Sequence, residues 1–203
     1  MQIDRFSPLV AAAVLALFAA APALGETDAA TLATQRCAVC HGARGESSNE
    51  QFPQLAGQNA RYLSKQLQDF ASGARTHVAM NVIARELSGE QIEALAQHYE
   101  RLKPQAHPGT DPLLANVGRY IWERGNPYTR VPACTSCHKE AGLGNAHLPR
   151  LAGQNPRYVM NQLQRFHARE RQNDAGPMAY VTSGLSELEM RAVAEYIGGL
   201  GRH

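Results

Sequence analysis

Large aromatic side chains are scarce in this sequence: one Trp, five Phe and seven Tyr among 203 residues. Aromatics alone do not fill a core at that level, so something else must contribute to it. Neither charge dominates, with 20 Lys and Arg against 18 Asp and Glu and a formal net charge of +2. A nucleic-acid surface needs a basic excess or stripe, so that class of partner is set aside. No stretch alternates apolar with polar residues as a half-buried strand does, which argues against a β-sheet fold. The apolar run at residues 9–24 is 16 residues long, short of the roughly 20 that a membrane-spanning helix requires.

That run follows a polar start containing Arg5 and ends in small residues, Ala21-Pro22-Ala23 and Ala23-Leu24-Gly25. Residues 1–25 therefore read as a signal peptide, cleaved after Ala23 or Gly25. The rival reading is an uncleaved membrane anchor, and the lack of a Cys after the run argues against lipid attachment. Export places the chain in an oxidising compartment, where its four Cys need an explanation.

The rest of the chain repeats itself. Cys37-Ala38-Val39-Cys40-His41 matches Cys134-Thr135-Ser136-Cys137-His138 at an offset of 97. Leu55-Ala56-Gly57-Gln58-Asn59 matches Leu151-Ala152-Gly153-Gln154-Asn155 at 96, and Met80 matches Met178 at 98. Such small drifts indicate duplication with short loop insertions. Two like domains follow, residues 26–105 and 106–203, joined near residues 103–112, where Pro104, Pro108, Gly109 and Pro112 break any helix.

Both halves read as helical. Tyr62, Leu63, Gln66, Leu67 and Phe70 recur at three- and four-residue spacing, as do their partners in residues 155–166. Ser88…Gln91 and Ser186…Glu189 are capping boxes opening later helices. A further helix is expected over residues 112–124. The expected fold class is all-α. Each half is small and poor in large apolar groups, which calls for a metal, a disulfide or a cofactor.

Three chemistries compete for Cys-x-x-Cys-His. A thioredoxin-like disulfide needs a βαβ setting, and strands are missing. Zinc in a tetrahedron suits adjacent Cys40 and His41 badly. Covalent c-type haem fits: Cys37 and Cys40, or Cys134 and Cys137, reach the two porphyrin vinyl groups, and His41 or His138 then lies under the iron. By chance the motif is expected about 0.003 times in a chain of this composition, and two copies occupy matching places.

The second axial ligand follows from elimination. Met80 is the one methionine of the first domain, 39 residues after His41, and Met178 lies 40 residues after His138. Met160 and Met190 match Ser64 and Ile92 on amphipathic helices and read as core residues. His77, three residues from Met80, is the competing ligand but has no counterpart before Met178. The carbonyls of Pro53 and Pro149 are candidate acceptors for the proximal imidazole N–H groups. Arg61 and Arg157 either pair with haem propionates or lie on helix surfaces. The run Arg157, Arg165, Arg169 and Arg171 reads as a solvated helix face or a partner-steering patch.

Together these residues resemble the dihaem cytochromes c of the c4 type, two class I cytochrome c domains in tandem. The likeness covers both Cys-x-x-Cys-His motifs, both Leu-Ala-Gly-Gln-Asn segments, the Met80 and Met178 segments, and Gly125-Asn126-Pro127. Lys139 departs from the Gly usual after the proximal His, and Phe166 to Met178 is two residues longer than Phe70 to Met80. The resemblance implies two covalently bound haem c groups and a periplasmic electron carrier between a quinol-oxidising bc-type complex and a terminal oxidase, often cbb3-type, sometimes membrane-associated. Other readings are the cytochrome subunit of a periplasmic dehydrogenase, such as one oxidising sulfide, and a dihaem peroxidase. The peroxidase requires an iron without a matched methionine, and both halves have one.

Overall fold

The computed structural model describes residues 26–47 and 49–201, so the expected signal peptide lies outside the described residues. In the first half, α1 (Glu26–Leu32) runs through a wide π turn (Ala33–Cys37) into α2 (Ala38–His41). There follow α3 (Ala60–Ser72), α4 (Val78–Arg85) and α5 (Gly89–Arg101). The second half has α6 (Pro112–Arg124), α7 (Thr135–His138), α8 (Pro156–His167), α9 (Pro177–Ser183) and α10 (Glu187–Gly199). A single bridge between Asn126 and Val131 is the one β feature among the described residues. The fold is all-α and tandem, as the patterning implied.

Local chemistry sets the helix ends. The Ser88 hydroxyl accepts the Gln91 N–H at 3.1 Å, and Gln91 accepts the Ser88 N–H at 2.9 Å. Ser186 and Glu189 repeat this at the start of α10. Caps of this kind stabilise a helix by about 0.5–2 kcal/mol. Asp111 caps α6 through the Leu114 N–H at 2.9 Å, with Pro112 preset in the first turn.

The second core is the larger. Ile121 and Trp122 of α6 and Leu163 of α8 pack on Met190, Val193 and Ile197 of α10. Gly118 lets α6 approach α10 closely, since a Cβ there would lie 1.9 Å from the Ala192 carbonyl oxygen. Met190 is buried and Met160 packs against the same cluster, so both are core methionines. The first core holds Ala33, Leu63, Leu95, Ala96 and Tyr99. It is lean enough to depend on something besides side chains.

The repeated Leu-Ala-Gly-Gln-Asn segment builds the junction. Gly57 (φ 69°) and Gly153 (φ 74°) donate to the ends of α5 and α10, at Tyr99 and Ile197, while the linker passes over them. A Cβ would lie 2.8 Å from Pro104 at Gly57 and 2.6 Å from the Gln105 carbonyl at Gly153. Next in the motif, Asn59 donates to the carbonyls of Leu143 and Leu148, and Asn155 donates to those of Ser47 and Phe52. The Leu148 and Phe52 contacts are mates related by the repeat, so the two domains grip each other reciprocally at the junction.

Candidate functional site

Each Cys-x-x-Cys-His segment coils into a short helix that ends on its histidine, α2 on His41 and α7 on His138. Both rings are 8% exposed. Nδ1 of His41 lies 3.0 Å from the Pro53 carbonyl, and Nδ1 of His138 lies 3.3 Å from that of Pro149. A carbonyl only accepts, so Nδ1 carries the proton and Nε2 is left as the ligating nitrogen. Burial lowers the pKa of both imidazoles, and the proline bond offsets this in part. Both are thus held neutral, the form that binds a metal. Phe52 meets the edge of His41 at 6.1 Å, and Trp122 lies 6.3 Å from His138 with its N–H on the Glu140 carbonyl.

The chain approaches these two helices differently. In the first half the Ala38 N–H reaches back to Ala33, an i→i+5 bond that widens the turn just before the first thiol. Nothing in the residue pattern signals this. In the second half residues 125–134 separate α6 from α7, and no π turn forms. After the histidine both halves take the same left-handed bend, Gly42 at φ 80°, ψ 156° and Lys139 at φ 68°, ψ 159°. The non-glycine residue does not alter the loop; it is forced into the loop's conformation.

No disulfide joins Cys37 to Cys40 or Cys134 to Cys137. Burial raises the pKa of Cys37 and pushes Cys134 up to about 11. Zinc requires thiolates, and burial opposes that charge at Cys37 and Cys134. Among the described residues no three His, Cys, Asp or Glu side chains converge as a metal cage. Uncharged thioether sulfurs beside a buried neutral imidazole suit the site, and the donor set fits haem c.

The two candidate methionines sit in matching first turns. Met80 is on α4 and Met178 on α9, both half-buried, with Met178 packed against the second core. Nδ1 of His77 accepts the Met80 N–H at 3.3 Å, and Asp174 accepts the Met178 N–H at 2.7 Å. His77 thus serves as the N-cap of α4. Asn81 braces this turn by donating to the carbonyls of Phe70 and Arg75.

The arginines depart from expectation. Arg61, Arg157 and Arg169 are exposed, consistent with helix and loop surfaces, and Arg165 reaches across to Thr76. Arg171 is no part of a solvated face. It lies beyond α8, 7% exposed, and its repeat mate Arg75 is equally buried. Their matching positions, 96 apart, are the signal in the sequence that would have found them.

The cytochrome c family profile matches this chain twice, over residues 27–105 and 123–201. The chain belongs to the cytochrome c family. It is 37% identical to the cytochrome c4 of Thiocapsa roseopersicina over 189 residues, covering 91% of this chain and 97% of that one. It is 38% identical to the thiosulfate dehydrogenase electron acceptor of Stutzerimonas stutzeri, covering 84% and 81%. The crystal structure of reduced recombinant cytochrome c4 from Pseudomonas stutzeri superposes with a TM-score of 0.82 at 34% identity, covering 87% of this chain and 98% of that one. This cytochrome is a dihaem electron carrier with one covalent haem c in each domain. No helix among the described residues is long and apolar enough to cross a membrane.

Proposed function

We propose that this cytochrome is a periplasmic shuttle in which His41 and Met80 ligate the first iron and His138 and Met178 the second. Cys37 and Cys40 hold one porphyrin, Cys134 and Cys137 the other, in domains spanning residues 26–105 and 106–203. Bound haem supplies a one-electron ferric–ferrous couple. The residues around it fix its axial ligands: the proline carbonyls orient neutral imidazoles, and His77 and Asp174 cap the turns bearing the methionines. Thioether sulfur favours the ferrous state and raises the potential. A histidine and a methionine would hold each iron and leave no ligand position for a substrate, so the haems would supply one-electron exchange with protein partners rather than substrate chemistry.

The observation carrying this reading is the duplicated set of buried histidine, proline carbonyl and capped methionine. The proposed donor is a quinol-oxidising bc-type complex and the acceptor a terminal oxidase of the cbb3 or a similar type. A second reading, acceptor for a periplasmic dehydrogenase, is favoured by the thiosulfate dehydrogenase electron acceptor among its relatives. Redox titration with visible spectra tests the ligands. Two haems, each with a far-red sulfur-to-iron band when oxidised, are expected, whereas a high-spin spectrum or peroxide turnover would replace the shuttle with an enzyme. Rapid-mixing reduction by each isolated donor separates the two partner readings.

A further inference from the structure

The hydroxyl of Tyr99 is a buried polar group without a hydrogen bond of normal geometry. Tyr99 lies on the buried face of α5, 4% exposed, and Cys37 packs against the same small core. Its ring cannot swing out to water. The loop after His41 closes over it at Gly45 (φ 70°), where a Cβ would lie 2.8 Å from the ring carbon Cδ1. A buried hydroxyl left without a partner is costly, and phenylalanine would fill the same space without that cost. The oxygen needs a role.

The polar group beside it is the Cys37 sulfur. Burial raises the Cys37 thiol and its contact with the Tyr99 hydroxyl offsets part of this, while burial and then Cys37 push the phenol up. The thiol stands where the thioether sulfur of attached haem would be. A thiol donates and accepts, whereas a thioether has no proton and only accepts. Attachment of haem therefore leaves the sulfur as acceptor and Tyr99 as its donor. The other acceptor acting on the phenol, the Glu46 carboxylate, takes the Arg44 N–H at 2.7 Å.

The second domain lacks this arrangement. Gly57 donates to the Tyr99 carbonyl at 2.8 Å and Gly153 to that of Ile197 at 3.0 Å, so Ile197 is the repeat mate of Tyr99. Its buried side chain offers no donor. Cys134 instead faces the Ile121 carbonyl at 4.0 Å, an oxygen that only accepts. The π turn that ends on Cys37 also has no counterpart before Cys134, and such turns recur at functional sites. We infer that Tyr99 donates its hydroxyl proton to the thioether sulfur joining Cys37 to the first haem and so raises that haem's potential, leaving the second unaffected. This rests on the attachment at Cys37 proposed above. A proton shared with the sulfur draws electron density from the porphyrin edge and stabilises the electron-rich ferrous state. Tyr99 and Ile197 thereby make two otherwise matching sites unequal.

The test is spectroelectrochemistry of holoprotein carrying Tyr99→Phe, which keeps the ring and deletes the hydroxyl. The first haem's midpoint potential falls and the second haem's stays. Haem-proton NMR tells the two apart through contacts to Phe52, beside His41, and Trp122, beside His138. Resonance Raman spectra of the variant show one thioether carbon–sulfur stretch displaced and the rest unchanged. Unmoved potentials overturn the inference and leave Tyr99 a packing residue, whose loss is read in thermal stability alone. Equal shifts at both haems overturn it too, since the effect would not pass through Cys37. Mass spectrometry of proteolytic peptides keeps the two readings apart. A bare thiol at Cys37 sinks the attachment and this inference with it, whereas haem on Cys37 with unmoved potentials sinks the role of Tyr99 alone. Should the variant fail to accumulate, Raman spectra of wild type exchanged into heavy water decide. One carbon–sulfur stretch that moves with deuterium supports the hydrogen bond, and identical spectra overturn it.

Discussion

The side chain of Gln154 pairs with both backbone groups of Gln54: its Oε1 accepts the Gln54 N–H at 2.7 Å, and its Nε2 donates to the Gln54 carbonyl at 3.0 Å. The repeat mate of Gln154 does the same, for Gln58 accepts the Arg150 N–H at 2.7 Å and donates to its carbonyl at 2.8 Å. Gln54 in turn grips the linker through the N–H and carbonyl of Gln105. Backbone groups left unpaired in a buried place cost about 1–3 kcal/mol each. Replacing Gln154 by Ala is therefore expected to weaken the junction by a few kcal/mol and split thermal unfolding into two transitions. Calorimetry reads this directly, and faster proteolysis within residues 103–111 should accompany it. One unchanged transition would show that the pairing does not hold the domains.

The methionine assignments predict separable effects. Met80→Ala removes the proposed sulfur from one iron, lowers that haem's potential and opens it to carbon monoxide in the ferrous state. Met178→Ala does the same to the second haem and leaves the first nearly unaltered. Carbon monoxide difference spectra of each variant count the opened sites. A variant with wild-type spectra would remove that methionine from the ligand set.

Fold class, repeat and cofactor are legible in the sequence because each leaves a periodic or short-range mark. Capping boxes at Ser88 and Ser186 depend on four consecutive residues, and the haem motif on five. The proline carbonyls are reachable because the repeat places Pro53 and Pro149 at nearly equal distances after His41 and His138. The junction is not legible. Gln58, Gln154, Asn59 and Asn155 stand in plain view as a repeated motif, but their partners lie 84 to 108 residues away. Arg171 is misleading for the same reason: charge clustering along the chain suggests solvent, and only the packed structure shows a buried pair. The π turn before Cys37 lacks any residue pattern that distinguishes it from an ordinary helix.

Glu189 gives a pH dependence of known sign. Burial raises its pKa, but hydrogen bonds from the Ser186 N–H and hydroxyl and from Asn126 outweigh this and hold it below the ordinary value. A carboxylate depressed on folding stabilises above its unfolded pKa, and that stability is lost as the pH falls through the folded value. Glu189→Gln should therefore be less stable than wild type at neutral pH, with the two converging below the usual carboxylate range. Glu189 is half-buried, and solvent screening keeps the difference small. Melting curves of both proteins across that range check it, and parallel curves would show that the carboxylate is not what the cap uses.

Lys139 carries strain that its repeat mate avoids. At φ 68°, ψ 159° it occupies backbone space natural to glycine, and its side chain is exposed, with no hydrogen bond to another described residue that would offset the cost. Such a residue is held there at about 1–3 kcal/mol. Lys139→Gly is expected to stabilise the second domain by part of that amount, reduced by the extra freedom glycine has when unfolded. The reverse change, Gly42→Ala, should destabilise the first domain, since φ there is 80° and the new Cβ would lie 2.6 Å from the Glu46 carboxylate. Denaturant titrations of both variants, followed at each haem's absorbance, test the pair together. A destabilised Lys139→Gly would mean that the lysine side chain makes a compensating contact, with a haem propionate or with the loop, that outweighs its backbone.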